Sequence, residues 1–558
     1  MAANLPLTHL YFQQQMNPNR CKKEYEHCSS FTPIPVGIDA RCKADNGAGP
    51  ISPLLYSGFL EHLGRCIYGG IVDDKKHPSP AELLEEQGNG RAGWRKDVQK
   101  VLAADGDLAV PMMRWPGGNY VSNYHWQDGI GPVDQRPKRV ELAWRTAEDN
   151  RFGTDEFMDM CRANKWEPFI CLNMGTGTLE EALAWVEYCN STGDTYWANL
   201  RRKHTGRDEP HNVKYWGLGN EMWGPWQVGN IDAKEYAAKA KQWAHAIKLV
   251  DPSVILISSG ETGFSLWDKE VLSEVIPYVD MHSLHFYSSL FHEYFTAPGH
   301  NFEKNVFSPA AAEAGIKIAK SLIDLTNADN SFRGVAAKDV KICYDEWNVW
   351  DQTKAGVDIG LEQVYDFTDL LGTVAWLNLL LRQSADVAVA CIAQSCNVIS
   401  PILTRPDGVL KQCTFYALQL FSTMMRDGHL LQTPDMPDYY DGPTWPYFVQ
   451  QIKCNPRYID IVAMGKDDGD KRSVRVSVLN RHPELDWDAN VINVGGLEIE
   501  KVTVHEMYND DLSAANSWEE PEKVVPTIKE YSAQEWKDRK HTVRKHSWQF
   551  IVVDGKKI

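Results

Sequence analysis

The feature that most constrains this chain is an array of short apolar segments, each followed by a helix-like one, running from Ile38 to about Gln394. Eight segments have strand character, at residues 57–61, 110–115, 168–173, 213–221, 254–259, 279–287, 342–347 and 387–394. Between them lie amphipathic stretches such as 94–104, 154–163, 179–188, 232–250, 310–326 and 367–383, with Thr154 and Asp232 placed as N-caps. Strands that alternate with helices build parallel sheets, and eight such units predict an α/β chain closed into a (β/α)8 TIM barrel over residues 57–396. The pattern then changes. A closing helix at 415–424 is followed by short alternating segments at 459–463, 474–478, 502–504 and 548–552, which predict an all-β, jelly-roll-like sandwich within residues 397–558. Residues 36–56 precede the barrel without a helix of their own and are expected to add a strand to that sandwich. Residues 1–35 read as a tail, and the charged runs 467–471 and 519–523 as loops.

A barrel of this kind places its chemistry at the C-terminal strand ends. Those ends carry Glu61, Arg114, Glu221, His285, Tyr287, Glu346 and Gln394. Alternation puts Tyr215 and Gly217 beneath Glu221, Ile342 and Tyr344 beneath Glu346, and Ala390 and Ile392 beneath Gln394. A lone Glu there reads as a solvated strand end, whereas two such glutamates supply the acid and nucleophile of glycoside cleavage. Asp345 is expected to point away from Glu346, as an orienting or structural group. Asn220 and Glu221 are adjacent, so both can face one ligand only if the strand ends or bulges there, which Gly217 and Gly219 permit. Arg114 is expected to favour the ionised form of Glu346 and leave Glu221 as the protonated partner. Gly117-Gly118 permits a tight turn that aims Asn119 at a ligand. His282 and His285, three apart in a strand, face opposite ways and make no metal site.

The 558 residues, 43% of them hydrophobic, suffice for a large core. A net charge of −17 opposes nucleic acid as a partner. The stretch 373–382 is too short to span a membrane and reads as a buried helix. The N-terminus has neither the basic nor the apolar region of a secretory signal, and the 12 cysteines show no CxxC spacing, so reduced thiols in a cytoplasmic protein are expected. Assembly into a homo-oligomer is left open.

Several passages together resemble glycoside hydrolase family 51, the α-L-arabinofuranosidases, and within it the fungal intracellular members. They are GFLEHLGRCIYGGI from Gly58, RWPGGNYVSNYHWQDGIGP from Arg114, KYWGLGNEMWGPWQ from Lys214, SLHFY from Ser283, DEWNVW from Asp345 and IAQSCNVISPI from Ile392. The resemblance implies a retaining exo-hydrolase acting without a cofactor on arabinan, arabinoxylan or derived oligosaccharides. Glu221 would be its acid/base and Glu346 its nucleophile. It implies that Glu61, Asn119, Asn220, Tyr287 and Gln394 hold the arabinofuranosyl hydroxyls and that Trp144 and Trp350 wall the pocket. Trp115, Trp223, Ser288 and Gly177 stand where members commonly carry other residues, and Trp223 and Ser288 are expected at the pocket mouth. A β-xylosidase or endo-β-glucanase on the same barrel, or a non-catalytic carbohydrate-binding protein, are the alternatives.

Overall fold

A computed structural model of the chain describes residues 29–32, 36–44, 47–88, 91–288, 301–356, 360–446, 449–488 and 492–558. All but residues 29–32 of the expected tail lie outside them. The eight barrel strands, numbered here in words from first to eighth, are Gly58–Phe59, Met112–Trp115, Glu167–Cys171, Tyr215–Leu218, Ile255–Ser258, Met281–Ser288, Lys341–Val349 and Val387–Ile392. Each pairs in parallel with the next, and Ser57 bridges to Cys391 to close the ring.

Side-chain alternation fills the inside. Phe59, Met112, Phe169, Cys171, Ile257, Met281, Cys343, Val389 and Cys391 form one buried cluster there, while Trp216, Leu218, Leu256 and Leu284 join the larger cluster under the helices. Two alternation expectations fail. Ile342 and Tyr344 pack with the helix-facing cluster rather than beneath Glu346, and Ala390 and Ile392 do the same. In the seventh strand the register shifts between Tyr344 and Trp347, so inside and outside exchange places along it. The eighth strand ends at Ile392, and Gln394 lies beyond the reach of its alternation.

The helix Ala233–Val250 shows how the sequence sets the fourth strand. Asp232 caps it by accepting the Glu235 N–H, and Tyr236, Ala237, Ala240, Trp243, Ala244 and Ile247 make the buried stripe. Tyr236 donates its hydroxyl to the Leu218 carbonyl at 2.7 Å and accepts from the Ser259 N–H at 2.6 Å, pinning the ends of the fourth and fifth strands. In the helix Thr154–Asn164 the capping residue is Gly153, not Thr154. Thr154 is the first helical residue, and its hydroxyl accepts the Trp185 indole N–H.

Beyond the barrel, the helix Cys413–Met424 leads to a six-stranded antiparallel sheet. Its order is His429–Leu431, Ile459–Asp468, Lys471–Asn480, Ser547–Lys557, Leu497–Met507, Thr527–Ser532. These strands run longer than expected, and 467–471 is a tight hairpin rather than a loop. Val36–Asp39 pairs with Ile492–Gly495, and Val36 and Ile38 share a core with Ile461, Val476 and Ile551. The helix Phe367–Arg382, which contains 373–382, is buried between the two parts. Among the described residues no helix is long and apolar enough to cross a membrane. The ten described cysteines are free.

Candidate active site

The fourth strand stops at Leu218. Gly219 then takes φ +83° and Glu221 takes φ +44°, so the chain turns at once and Asn220 and Glu221 both reach the barrel mouth. A Cβ on Gly219 would stand 3.0 Å from Met222 Cγ and 3.1 Å from Met174 Cβ. On the neighbouring wall, Gly117, at φ +129°, passes so close to Glu61 that a Cβ would meet its Cγ at 2.5 Å, and Gly118 backs onto the carboxylates of Glu61 and Glu346. The expected glycine turn thus lets the backbone approach the acids.

One network joins nearly all the residues singled out in the sequence. Arg114 donates to Glu346 Oε1 at 2.8 Å and to Asn220 Oδ1 at 2.7 Å, and its Nε faces Asp345 Oδ2 at 3.2 Å. Tyr287 donates its hydroxyl to Glu346 Oε2 at 2.8 Å. The Asn220 amide reaches Asn119 Oδ1 at 3.4 Å. Glu61 accepts from the Tyr120 N–H, the Trp144 indole and the Gln394 amide at 2.9 to 3.0 Å. Glu141 accepts the Trp144 backbone N–H at 2.6 Å and so anchors that loop. Trp350 packs edge-on against Tyr287, with centroids 5.7 Å apart.

His285 sits at the centre. Its Nδ1 is 3.0 Å from Glu221 Oε1 and 3.5 Å from Glu346 Oε2, and its Nε2 is 3.2 Å from Asp345 Oδ1. Burial disfavours a charged ring, but Glu346, Asp345 and the hydrogen bonds outweigh it and raise the pKa to about 10, so the imidazolium persists at neutral pH. Burial likewise works against the Asp345 charge, yet Arg114, His285 and Ser283 hold its pKa at about 2. Burial pushes Glu61 up to about 8, against the Tyr120 N–H and with the Glu346 charge. Asp345 therefore faces into the site beside Glu346, contrary to expectation, and the strand irregularity lets two consecutive side chains share one face. It ties Ser283, His285 and Arg114 together.

One oxygen of each of Glu221 and Glu346 and a ring nitrogen of His285 lie within 4.8 Å of one another, the grouping among the described residues that could surround a cation. Arg114 and the imidazolium already place two positive charges there, so a metal would have to displace a proton and compete with a guanidinium. His282 faces the other way, to Asp268 and Ser258.

Ser288 is not at the pocket mouth: it is fully buried and accepts the Trp376 indole N–H. Trp115 also faces the helices, with its indole on His62. The residue passed over in the sequence is Trp226. Its indole donates to Glu221 Oε2 at 2.9 Å, and the only sign of it was its place five residues past Glu221 in the GPW triplet.

Two family models match the chain, the α-L-arabinofuranosidase 1 domain over residues 105–305 and the α-L-arabinofuranosidase C-terminal domain over residues 345–547. The chain is 46% identical over 486 residues to α-L-arabinofuranosidase C of Emericella nidulans, covering 85% of this chain and 90% of the relative. It is 33% identical over 526 residues to an intracellular exo-α-(1→5)-L-arabinofuranosidase of Halalkalibacterium halodurans, covering 91% and 97%. Among solved structures, the α-L-arabinofuranosidase of Thermotoga maritima in its arabinose complex superposes with a TM-score of 0.80 at 37% identity, covering 93% of this chain and 99% of that one. With a closed eight-stranded barrel, a β-sandwich and a paired-glutamate mouth behind these matches, the chain belongs to the α-L-arabinofuranosidases of glycoside hydrolase family 51.

Proposed function

We propose that Glu346 is the nucleophile and Glu221 the acid/base of a retaining exo-hydrolase that releases terminal α-L-arabinofuranosyl groups. The observation that carries this reading is the carboxylate spacing. One oxygen of each glutamate lies within 4.8 Å of one of the other, in keeping with the short separation of retaining pairs, at about 5 to 5.5 Å, rather than the roughly 6.5 to 9.5 Å of inverting ones.

Glu346 attacks the anomeric carbon while Glu221 gives its proton to the departing oxygen, so the glycosidic bond breaks as the glycosyl–enzyme bond forms. Glu221, now ionised, takes a proton from water, whose oxygen displaces Glu346 and releases arabinose with its configuration retained. The contacts favour this division of labour: Arg114 and Tyr287 both donate to Glu346, which suits the carboxylate of the nucleophile. Asn220, held by Arg114, is aimed to bond the 2-hydroxyl, and Glu61, Asn119, Tyr287 and Gln394 to bond the other hydroxyls, with Trp144 and Trp350 as walls.

The Halalkalibacterium relative's name supports α-1,5-linked arabino-oligosaccharides as one substrate class. It also supports a cytoplasmic setting, as do the free, mostly buried thiols. The deciding experiment assays aryl α-L-arabinofuranoside, aryl β-xyloside and cellulosic substrates side by side. Preference for the arabinofuranoside is expected, and equal or greater turnover of either alternative would overturn the sugar assignment.

A further inference from the structure

We propose that Trp226 is a positioning residue for the proton of Glu221 and, with Trp223, the surface on which the first sugar ring of the leaving saccharide stacks. The inference rests on the reading of Glu221 as acid/base.

The two oxygens of Glu221 have different partners. Oε1 meets His285 Nδ1, whose Nε2 meets Asp345. With carboxylates against both nitrogens the ring donates on both sides, so a proton on Oε1 would face another N–H. The transferable proton therefore belongs on Oε2. There the Trp226 indole N–H occupies one direction and leaves the other for the departing oxygen.

The same indole is 44% exposed, although its N–H is used and Trp223 packs perpendicular to it at 5.1 Å. Trp223 is itself fixed by its N–H on the Gly260 carbonyl. A flat apolar ring held open beside the acid suits the C–H face of a sugar and leaves hydroxyls in water. Gly224 lies beneath it, and a Cβ there would come within 2.7 Å of Trp226 Cε2. The ring is thus built into place by the backbone.

The test compares α-1,5-arabinotriose with 2,4-dinitrophenyl α-L-arabinofuranoside, whose leaving group departs without a proton. Trp226→Phe keeps the ring and loses the N–H. It should lower kcat on arabinotriose about tenfold, with KM nearly unchanged and a shifted alkaline limb of the pH profile. Its kcat/KM on the activated substrate should fall much less than on arabinotriose, and circular dichroism and thermal melting report an intact fold. Trp226→Ala and Gly224→Ala should in addition raise KM for arabinotriose. The titratable and charged groups around Glu221 are His285, Tyr287, Glu346 and Glu261, with Asp345 and Arg114 behind His285 and Glu346. Native kcat and pH profile in Trp226→Phe overturn the positioning role, and a native KM in Trp226→Ala overturns the stacking role. Glu221→Ala is the separate control: loss of kcat/KM on both substrates alike rejects Glu221 as the acid and the inference with it, whereas discrimination by Glu221→Ala but not by Trp226→Phe rejects the inference alone.

Discussion

The fourth and seventh barrel strands deliver their glutamates by opposite means. The fourth stops short at Leu218 and turns through Gly219 and Glu221 in left-handed conformations. The seventh runs on to Val349 and slips register against both neighbours, between Ser283 and His285 on one side and between Tyr344 and Trp347 on the other. Each device brings two consecutive polar side chains to one face, Asn220 with Glu221 and Asp345 with Glu346. The result is one mouth reached by termination on one side and by irregular pairing on the other, and alternation alone permits neither.

The largest expected effect separates the two ends chemically. Glu346→Gly should cost on the order of 10⁴-fold or more in turnover, and azide should restore cleavage of an activated aryl arabinofuranoside to give the inverted glycosyl azide. Glu221→Ala should cost about 10² to 10⁴-fold on poor leaving groups, and azide should then give the retained product, because it attacks the glycosyl–enzyme. Identical anomeric products from the two variants, read by NMR, would break the distinction.

A smaller effect tests the termination device. Gly219→Ala places a side chain at φ +83° against Met222 and Met174. It should lower stability by about 1 to 2 kcal/mol and reduce kcat/KM by displacing Glu221, measured by denaturant unfolding alongside kinetics. The seventh-strand irregularity contains no glycine and has no corresponding weak point. Native stability in Gly219→Ala would show that the turn tolerates a side chain.

The smallest effect concerns pH. The Glu61 carboxyl, raised to about 8 in the fold, keeps its proton where the unfolded chain has released it. The native state therefore binds more protons, and stability falls as pH rises from the ordinary Glu range to about 8. Glu61→Gln should flatten that slope in thermal melts taken from pH 5 to 8, and an unchanged slope would assign the proton elsewhere.

Much of this arrangement was legible in the residues. The second and sixth strands alternate as read, so Arg114, His285 and Tyr287 face the site for the reason given, while Glu61 and Glu221 reach it from just beyond their strand ends. At Asn220 the adjacency of two polar residues, with glycine just before, announced that the strand had to end. At Asp345-Glu346 the same adjacency carries no glycine, and alternation points Asp345 away from Glu346, although it anchors His285 and Arg114 from within the site. The role of Trp226 is not legible in the residues, because an indole's usefulness depends on what its N–H meets, and that partner is reached only when the chain turns back past Gly224.

The sequence by itself determined the elements, their order and the chemistry at their ends, since periodicity, capping and glycine placement are local properties of neighbouring residues. Only the tertiary structure decided that both of two adjacent side chains face inward on the seventh strand, that Ser288 is buried under Trp376, and that both Glu221 oxygens are already engaged. Register and hydrogen-bond partnership are set by strands and loops distant in sequence, and a one-residue slip between them exchanges the faces of everything beyond it.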